Sequence, residues 1–167
     1  MILDLRQLFS ENDKSIPLNA EFDLSDVEFY GGFPIKTPVK ITGEILSKAD
    51  IVSLSAEIKV DYTAPCDRCG DITTKHFCFP VEKTLVTKLY GSEENDAMLV
   101  IPDKQLDINK LVMTEVVLNI PTKHLCREDC KGVCQQCGKN LNLGDCDCEK
   151  SQGDPRLAVL KQLLSDE

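Results

Sequence analysis

Val52-Ser53-Leu54-Ser55-Ala56-Glu57-Ile58-Lys59-Val60-Asp61-Tyr62 places an apolar residue at every even position and a polar one between, without a fault. Successive side chains of a strand point to opposite faces, so this stretch predicts a strand with one face buried and the other in water. The preceding stretch keeps the same phase: Val39, Ile41, Gly43 and Ile45 alternate with Lys40, Thr42 and Glu44. Lys48-Ala49-Asp50 between the two reads as a hairpin turn. Downstream, Pro65-Cys66-Asp67-Arg68-Cys69-Gly70 interrupts the pattern. It then resumes from Ile72 to Thr87 through Phe77, Phe79, Val81, Leu85 and Val86.

Outside this sheet the signals are shorter. Residues 1–37 are weakly patterned: Ile2, Leu3, Leu5, Leu8 and Phe9 suggest an opening strand or short helix, and Tyr30-Gly31-Gly32-Phe33-Pro34 breaks whatever precedes it. Gly91-Ser92-Glu93-Glu94-Asn95-Asp96 is an acidic loop, followed by a short strand candidate at Met98-Leu99-Val100-Ile101. Asp107 can N-cap a helix carrying Ile108, Leu111, Val112, Val116 and Ile120, which Pro121 ends. The valines and isoleucines there would also suit a strand, but the length and the cap favour helix. Asp154-Pro155 opens a last amphipathic helix with Leu157, Leu160, Leu163 and Leu164 on one stripe. The expected architecture is α+β: an antiparallel β-sheet or partial barrel, a cysteine-rich zinc-binding module and a C-terminal helix. It divides into a β-rich part over 1–120 that ends in a helix, a cysteine module over 121–150 and the amphipathic helix over 151–167.

Nine cysteines are present, and six fall between Cys126 and Cys148. Met1-Ile2-Leu3-Asp4-Leu5-Arg6 puts an acid where a secretory signal carries base, and no apolar run approaches the ~20 residues of a membrane span. A cytoplasmic protein with no membrane partner is expected, and there thiols stay reduced. Metal ligation then outweighs a disulfide framework, and the odd cysteine count points the same way. Thiolates this dense repel one another unless a cation holds them, and four sulfurs suit tetrahedral Zn²⁺. Cys66-x-x-Cys69-Gly70 and Cys134-x-x-Cys137-Gly138 are the two knuckle motifs, with the glycine allowing the positive φ of the tight turn. Eight thiols are candidate ligands. The favoured division sets Cys134, Cys137, Cys146 and Cys148 at one zinc and Cys66, Cys69, Cys126 and Cys130 at another. Two divisions stay open beside it: Cys126, Cys130, Cys134 and Cys137 as one local site, or the two knuckles facing each other as a zinc ribbon. Cys78, between Phe77 and Phe79, is expected to be a core residue and not a ligand.

Catalysis finds little support. A catalytic zinc keeps an open position and usually histidine or carboxylate ligands. The chain has two histidines, and His76 reads as a sheet residue and His124 as a loop residue beside the cluster. No nucleophile elbow, phosphate loop or dinucleotide fingerprint occurs, so no small-molecule substrate is implied. The enzymatic rival is a thiol redox role for Cys66 and Cys69. That chemistry needs a helix N-terminus after the first thiol, and the sequence after Gly70 reads as strand.

The 28 acidic and 19 basic residues give a net charge of −9. Proteins that grip bare nucleic acid present a basic surface to phosphate, so tight protein-only RNA binding is disfavoured and a basic protein partner suits better. Locally, Lys123, Arg127, Lys131 and Lys139 outnumber Glu128 and Asp129 and are candidate partner-binding residues. Their charge could equally balance the thiolates.

Pro65-Cys66-Asp67-Arg68-Cys69-Gly70 after an alternating strand, Leu125-Cys126 through Asn142 with Cys146-Asp147-Cys148, and Asp154-Pro155-Arg156-Leu157-Ala158-Val159-Leu160 together resemble the large ribosomal RNA subunit accumulation protein (YceD) family. The resemblance covers about Val39 to Leu164. It implies a non-enzymatic bacterial factor for ribosome biogenesis that supports accumulation of large-subunit (23S) ribosomal RNA. The acidic balance, which the family shares, directs it to a ribosomal protein or pre-ribosomal particle, with ribosomal RNA itself a further candidate partner. A zinc-dependent thiol switch and a structural zinc module of an unrelated complex are the alternatives.

Overall fold

A computed structural model of the chain describes residues 1–88 and 96–148. The element order is β1 (Ile2–Asp4), β2 (Lys14–Phe22), β3 (Val39–Lys48), β4 (Ile51–Pro65), β5 (Ile72–Val86), β6 (Met98–Val100), β7 (Gln105–Asp107) and α1 (Ile108–Asn119). Five strands form one sheet in the order β2-β3-β4-β5-β6, and β1 pairs β7 in a separate two-stranded sheet. Both sheets are open. Pairing is antiparallel from β2 to β5, and the short β6 joins β5 in parallel, so the main sheet is mixed at one edge.

The alternation read in the sequence is the alternation of burial. Val52, Leu54, Ala56, Ile58, Val60 and Tyr62 of β4 are buried, with β3 on one side and β5 on the other. The β3–β4 turn carries Ala49 at φ 50° and Asp50 at φ 62°, the left-handed pair that a two-residue hairpin turn requires. Asp107 caps α1, its carboxylate accepting from the backbone N–H groups of Asn109 and Lys110. Ile108, Leu111, Val112 and Val116 of α1 join the strands in one hydrophobic core. At its edge the Lys83 ammonium meets Glu115 at 3.0 Å, tying α1 to β5.

The weakly patterned N-terminus holds two strands. In β2, Ile16, Leu18, Ala20 and Phe22 alternate with polar residues and Pro17. Proline donates no ladder hydrogen bond and is tolerated here because β2 lies at the sheet edge. Phe29 and Gly32 then exchange both backbone hydrogen bonds, at 2.8 and 3.0 Å, around Tyr30 and Gly31. Ile35, fully buried, bridges to Tyr62. The amphipathic helix expected over 154–164 lies outside the described residues.

One expectation needs correcting. Cys78 is exposed on β5 and is not in the core. Its neighbours Phe77 and Phe79 are half-buried, and period two turns Cys78 to the opposite, watery face. There its thiol hydrogen-bonds Glu57, which pushes the thiol pKa up.

Candidate metal centres

β4 and β5 are each fifteen residues long, and their ladder runs to the Pro65–Ile72 pair. The turn beyond it is the first knuckle. The Cys66 N–H donates to the Asp71 carbonyl and the Gly70 N–H to the Cys66 carbonyl, both at 2.9 Å, with Gly70 at φ 77°. The second knuckle repeats this bond for bond. The Cys134 N–H donates to the Lys139 carbonyl and the Gly138 N–H to the Cys134 carbonyl, again at 2.9 Å, with Gly138 at φ 73°. A residue with a Cβ at either glycine would strain the loop that presents both sulfurs on one side.

Eight sulfurs gather in two groups: Cys66, Cys69, Cys126 and Cys130, and Cys134, Cys137, Cys146 and Cys148. Within each group every sulfur lies within 4.8 Å of the others. In the first, the Sγ atoms of Cys66 and Cys130 are 3.8 Å apart and those of Cys69 and Cys126 are 3.6 Å apart. A tetrahedral ion with metal–sulfur distances of about 2.3 Å sets its sulfurs about 3.8 Å apart, so the first group has the dimensions of such a site. Both groups could bind a metal ion. The geometry keeps Cys126 and Cys130 away from the Cys134 group and keeps the two knuckles apart. It matches neither the single local site nor the ribbon.

Polar side chains hold the first group in place. The Asn142 amide donates to Cys130 Sγ at 3.3 Å, and the Cys69 thiol lies 3.4 Å from Asp71 Oδ2, which also accepts from Asn140 at 2.9 Å. Arg68 Nη1 reaches the carbonyls of Glu128 and Cys130 at 3.2 and 2.8 Å, and Gly132 is tucked so tightly that a Cβ there would lie 3.0 Å from the Arg68 carbonyl. His124 is buried: its Nε2 pairs with Thr73 Oγ1 at 2.9 Å, its N–H donates to Asp67 Oδ2 at 2.7 Å, and its ring packs 5.3 Å from Tyr62. It is a positioning residue outside both groups. Sequence reasoning missed these supporting side chains, for which proximity to cysteine is the sole sequence signal.

Protons on the sulfurs are unevenly shared. Burial pushes the Cys66 thiol up, but the N–H groups of Cys126, Arg68 and Cys69 outweigh it and bring the pKa down to about 6. The N–H groups of Cys137 and Gln136 bring Cys134 to about 6 as well. By contrast, the hydrogen bond with Cys137, together with burial, pushes Cys148 up to about 12. Four adjacent sulfurs cannot all ionise unaided, and a dication supplies the missing charge.

Of the four candidate partner-binding residues, two serve the module itself. Arg127 donates to Asn142 Oδ1 at 2.8 Å and pairs with Asp129 at 3.3 Å, and the Lys139 ammonium donates to the Asp145 carbonyl. Lys123 and Lys131 are exposed. Because Cys78 stands outside both groups, Cys78→Val is expected to leave metal content unchanged while Cys134→Ser lowers it. Elemental analysis of both variants checks this.

The family model described as large ribosomal RNA subunit accumulation protein YceD matches residues 54–164, which takes in both knuckles and every cysteine of the two groups. The chain belongs to this family. YceD relatives occur in plants and bacteria. A chloroplastic YCED homolog 1 of Arabidopsis thaliana, described as a large ribosomal RNA subunit accumulation protein, is 28% identical over 160 residues, covering 78% of this chain and 50% of the plant protein. The uncharacterised protein YlbN of Bacillus subtilis is 29% identical over 132 residues, covering 78% of this chain and 77% of its own. An uncharacterised protein of Mycobacterium leprae is 26% identical over 136 residues, covering 77% and 58%. The chain thus spans about half the length of the plant relative. No solved structure matches it. Among the described residues no helix is long and apolar enough to cross a membrane.

Proposed function

We propose that the protein is a non-enzymatic, zinc-holding factor for ribosome assembly in the cytoplasm, supporting large-subunit ribosomal RNA by binding a basic ribosomal protein or a pre-ribosomal particle. One observation carries the chemical half of this reading: each group offers four thiols and neither histidine nor carboxylate. Four sulfurs close the coordination shell of zinc and leave no position for water or substrate, as a structural ion requires. Family membership supports the pathway half. The net charge of −9 supports the choice of a basic protein over bare RNA. The redox alternative is weakened by the burial of both Cys66 and Cys69 at a turn between two strands. A redox partner has little access to the thiols there, even though backbone N–H groups lower the Cys66 pKa.

The test compares affinity for a large-subunit RNA fragment with affinity for purified basic ribosomal proteins at near-physiological salt. Weak RNA binding that falls steeply with salt and firm protein binding are expected. Nanomolar binding to the RNA alone would show that the surface around Lys123, Arg127, Lys131 and Lys139 outweighs the net charge and that the choice of partner is wrong.

A further inference from the structure

Beside the first sulfur group lies a cleft of about 360 Å³ walled by Tyr30, Phe33, Pro34, Tyr62, Ile72 and His124. Three of these side chains are largely bare: Tyr30 is 69% exposed, Phe33 57% and Ile72 74%. Apolar groups that contribute nothing to a core and cluster around a concavity mark a recognition surface.

Tyr30 sharpens the point. It sits at φ 49° at the first central position of a two-residue turn, where glycine, asparagine or aspartate fits without strain and a bulky side chain does not. The strain is not offset by burial of the ring. The platform beneath is fixed: the Thr63 N–H donates to the Pro34 carbonyl at 2.8 Å, and Ile35 is locked to Tyr62. A strained, exposed aromatic on a rigid support is arranged for a partner.

Charge selects the partner. The cleft's lining includes one cation, Lys36, and one carboxylate, Asp67. The loop that leads into it adds Asp23, Asp26 and Glu28 with no further basic residue, so acid outnumbers base around the cleft. Neither Asp26 nor Glu28 has an ion-pair partner among the described residues. A dication held by the four thiolates of the adjoining sulfur group would leave that site net negative as well. We propose that the cleft takes an apolar side chain carried on a Lys/Arg-rich protein segment, whose flanking cations meet these carboxylates. This rests on the reading of the protein as an assembly factor with a basic partner.

The test is photo-cross-linking in growing cells from two positions of the full chain, Phe33→p-benzoylphenylalanine in the cleft and Leu143→p-benzoylphenylalanine on the cysteine module. Mass spectrometry then sequences the attached peptide. The position-33 probe is expected to attach at an apolar residue within a net-basic peptide of a ribosomal protein. That peptide, made synthetically, should bind about tenfold or more weakly to the Tyr30→Ser and Ile72→Ser variants at unchanged metal content. Tyr30→Gly should weaken binding equally without lowering the melting temperature, since it removes the strained side chain. An adduct from position 33 to nucleotide, to a second copy or to this chain's own residues overturns the proposal, as does a loss under about twofold in the variants or a lower melting temperature for Tyr30→Gly. If only position 143 captures a basic ribosomal protein, the cleft is dismissed and the assembly reading stands. If neither position yields an adduct, both fall.

Discussion

Two zinc ions per chain are expected in protein purified without reconstitution, and their removal should unfold the segment from Pro121 to Cys148 while the sheet survives. That segment contains no helix or strand among its described residues, only an isolated bridge between Val133 and Asn140, so its shape depends on the sulfurs and their supporting amides. Structural zinc in small modules binds with about 10–16 kcal/mol, far more than the few side-chain contacts around Asn140 and Asn142 could replace. The β3–β5 core is apolar and continuous and does not need the metal. Elemental analysis should give two equivalents of zinc, falling to one in Cys134→Ser and to one in Cys66→Ser. Hydrogen exchange after chelation should show lost protection at 121–148 and retained protection in β3, β4 and the part of β5 beyond the knuckle. Protein holding neither zinc nor iron, or unchanged exchange after chelation, would sink the metal reading. Iron alone decides less, because four thiolates also accept it.

Gly43→Val is expected to destabilise the fold by about 3 kcal/mol or more. Gly43 lies in the inward phase of β3, opposite Leu18 of β2 and Ala56 of β4. A Cβ there would stand 2.2 Å from the Ser55 carbonyl oxygen and 2.4 Å from the Ala56 Cα. Those are backbone atoms of the central strand, which cannot rotate aside as a flexible side chain would, so the β3–β4 ladder must open. Gly32→Ala is the control: a Cβ there meets nothing within 4 Å, and a change of no more than about 0.5 kcal/mol is expected. Thermal or urea unfolding of both variants checks the pair, and equal stability would mean that β3 and β4 are not this close.

The hairpin of β3 and β4 was legible because both strands bury one face, so burial wrote itself into the sequence with period two. The helix was legible through Asp107, whose cap fixes the boundary. β2 has the same alternation in Ile16, Leu18, Ala20 and Phe22, but Pro17 and the polar residues around it hide an edge strand among loop signals. Cys78 was misjudged because its aromatic neighbours suggested an interior, although period two itself sets it opposite them. The grouping of the sulfurs could be read as one option among three from the glycine after each knuckle. The amides and carboxylate that steady them could not: Asn140 meets Asp71 across 69 residues and Arg68 meets Cys130 across 62, distances over which a single sequence carries no pattern.

The two sulfur groups differ in when a growing chain can complete them. Cys134, Cys137, Cys146 and Cys148 emerge close together, and a metal ion can gather them with little loop to close. Cys66 and Cys130 are 64 residues apart, and Cys69 and Cys126 57 apart, so the hairpin tip leaves the ribosome as half a site and waits through the synthesis of β5, β6, β7 and α1 for its other half. An ion there closes a loop about as large as many small domains, and so removes unfolded-state freedom much as a long-range covalent cross-link does. A metal bound at the first group would therefore act as a completion check on the β4-to-module stretch, satisfied only after everything between its two halves has been made.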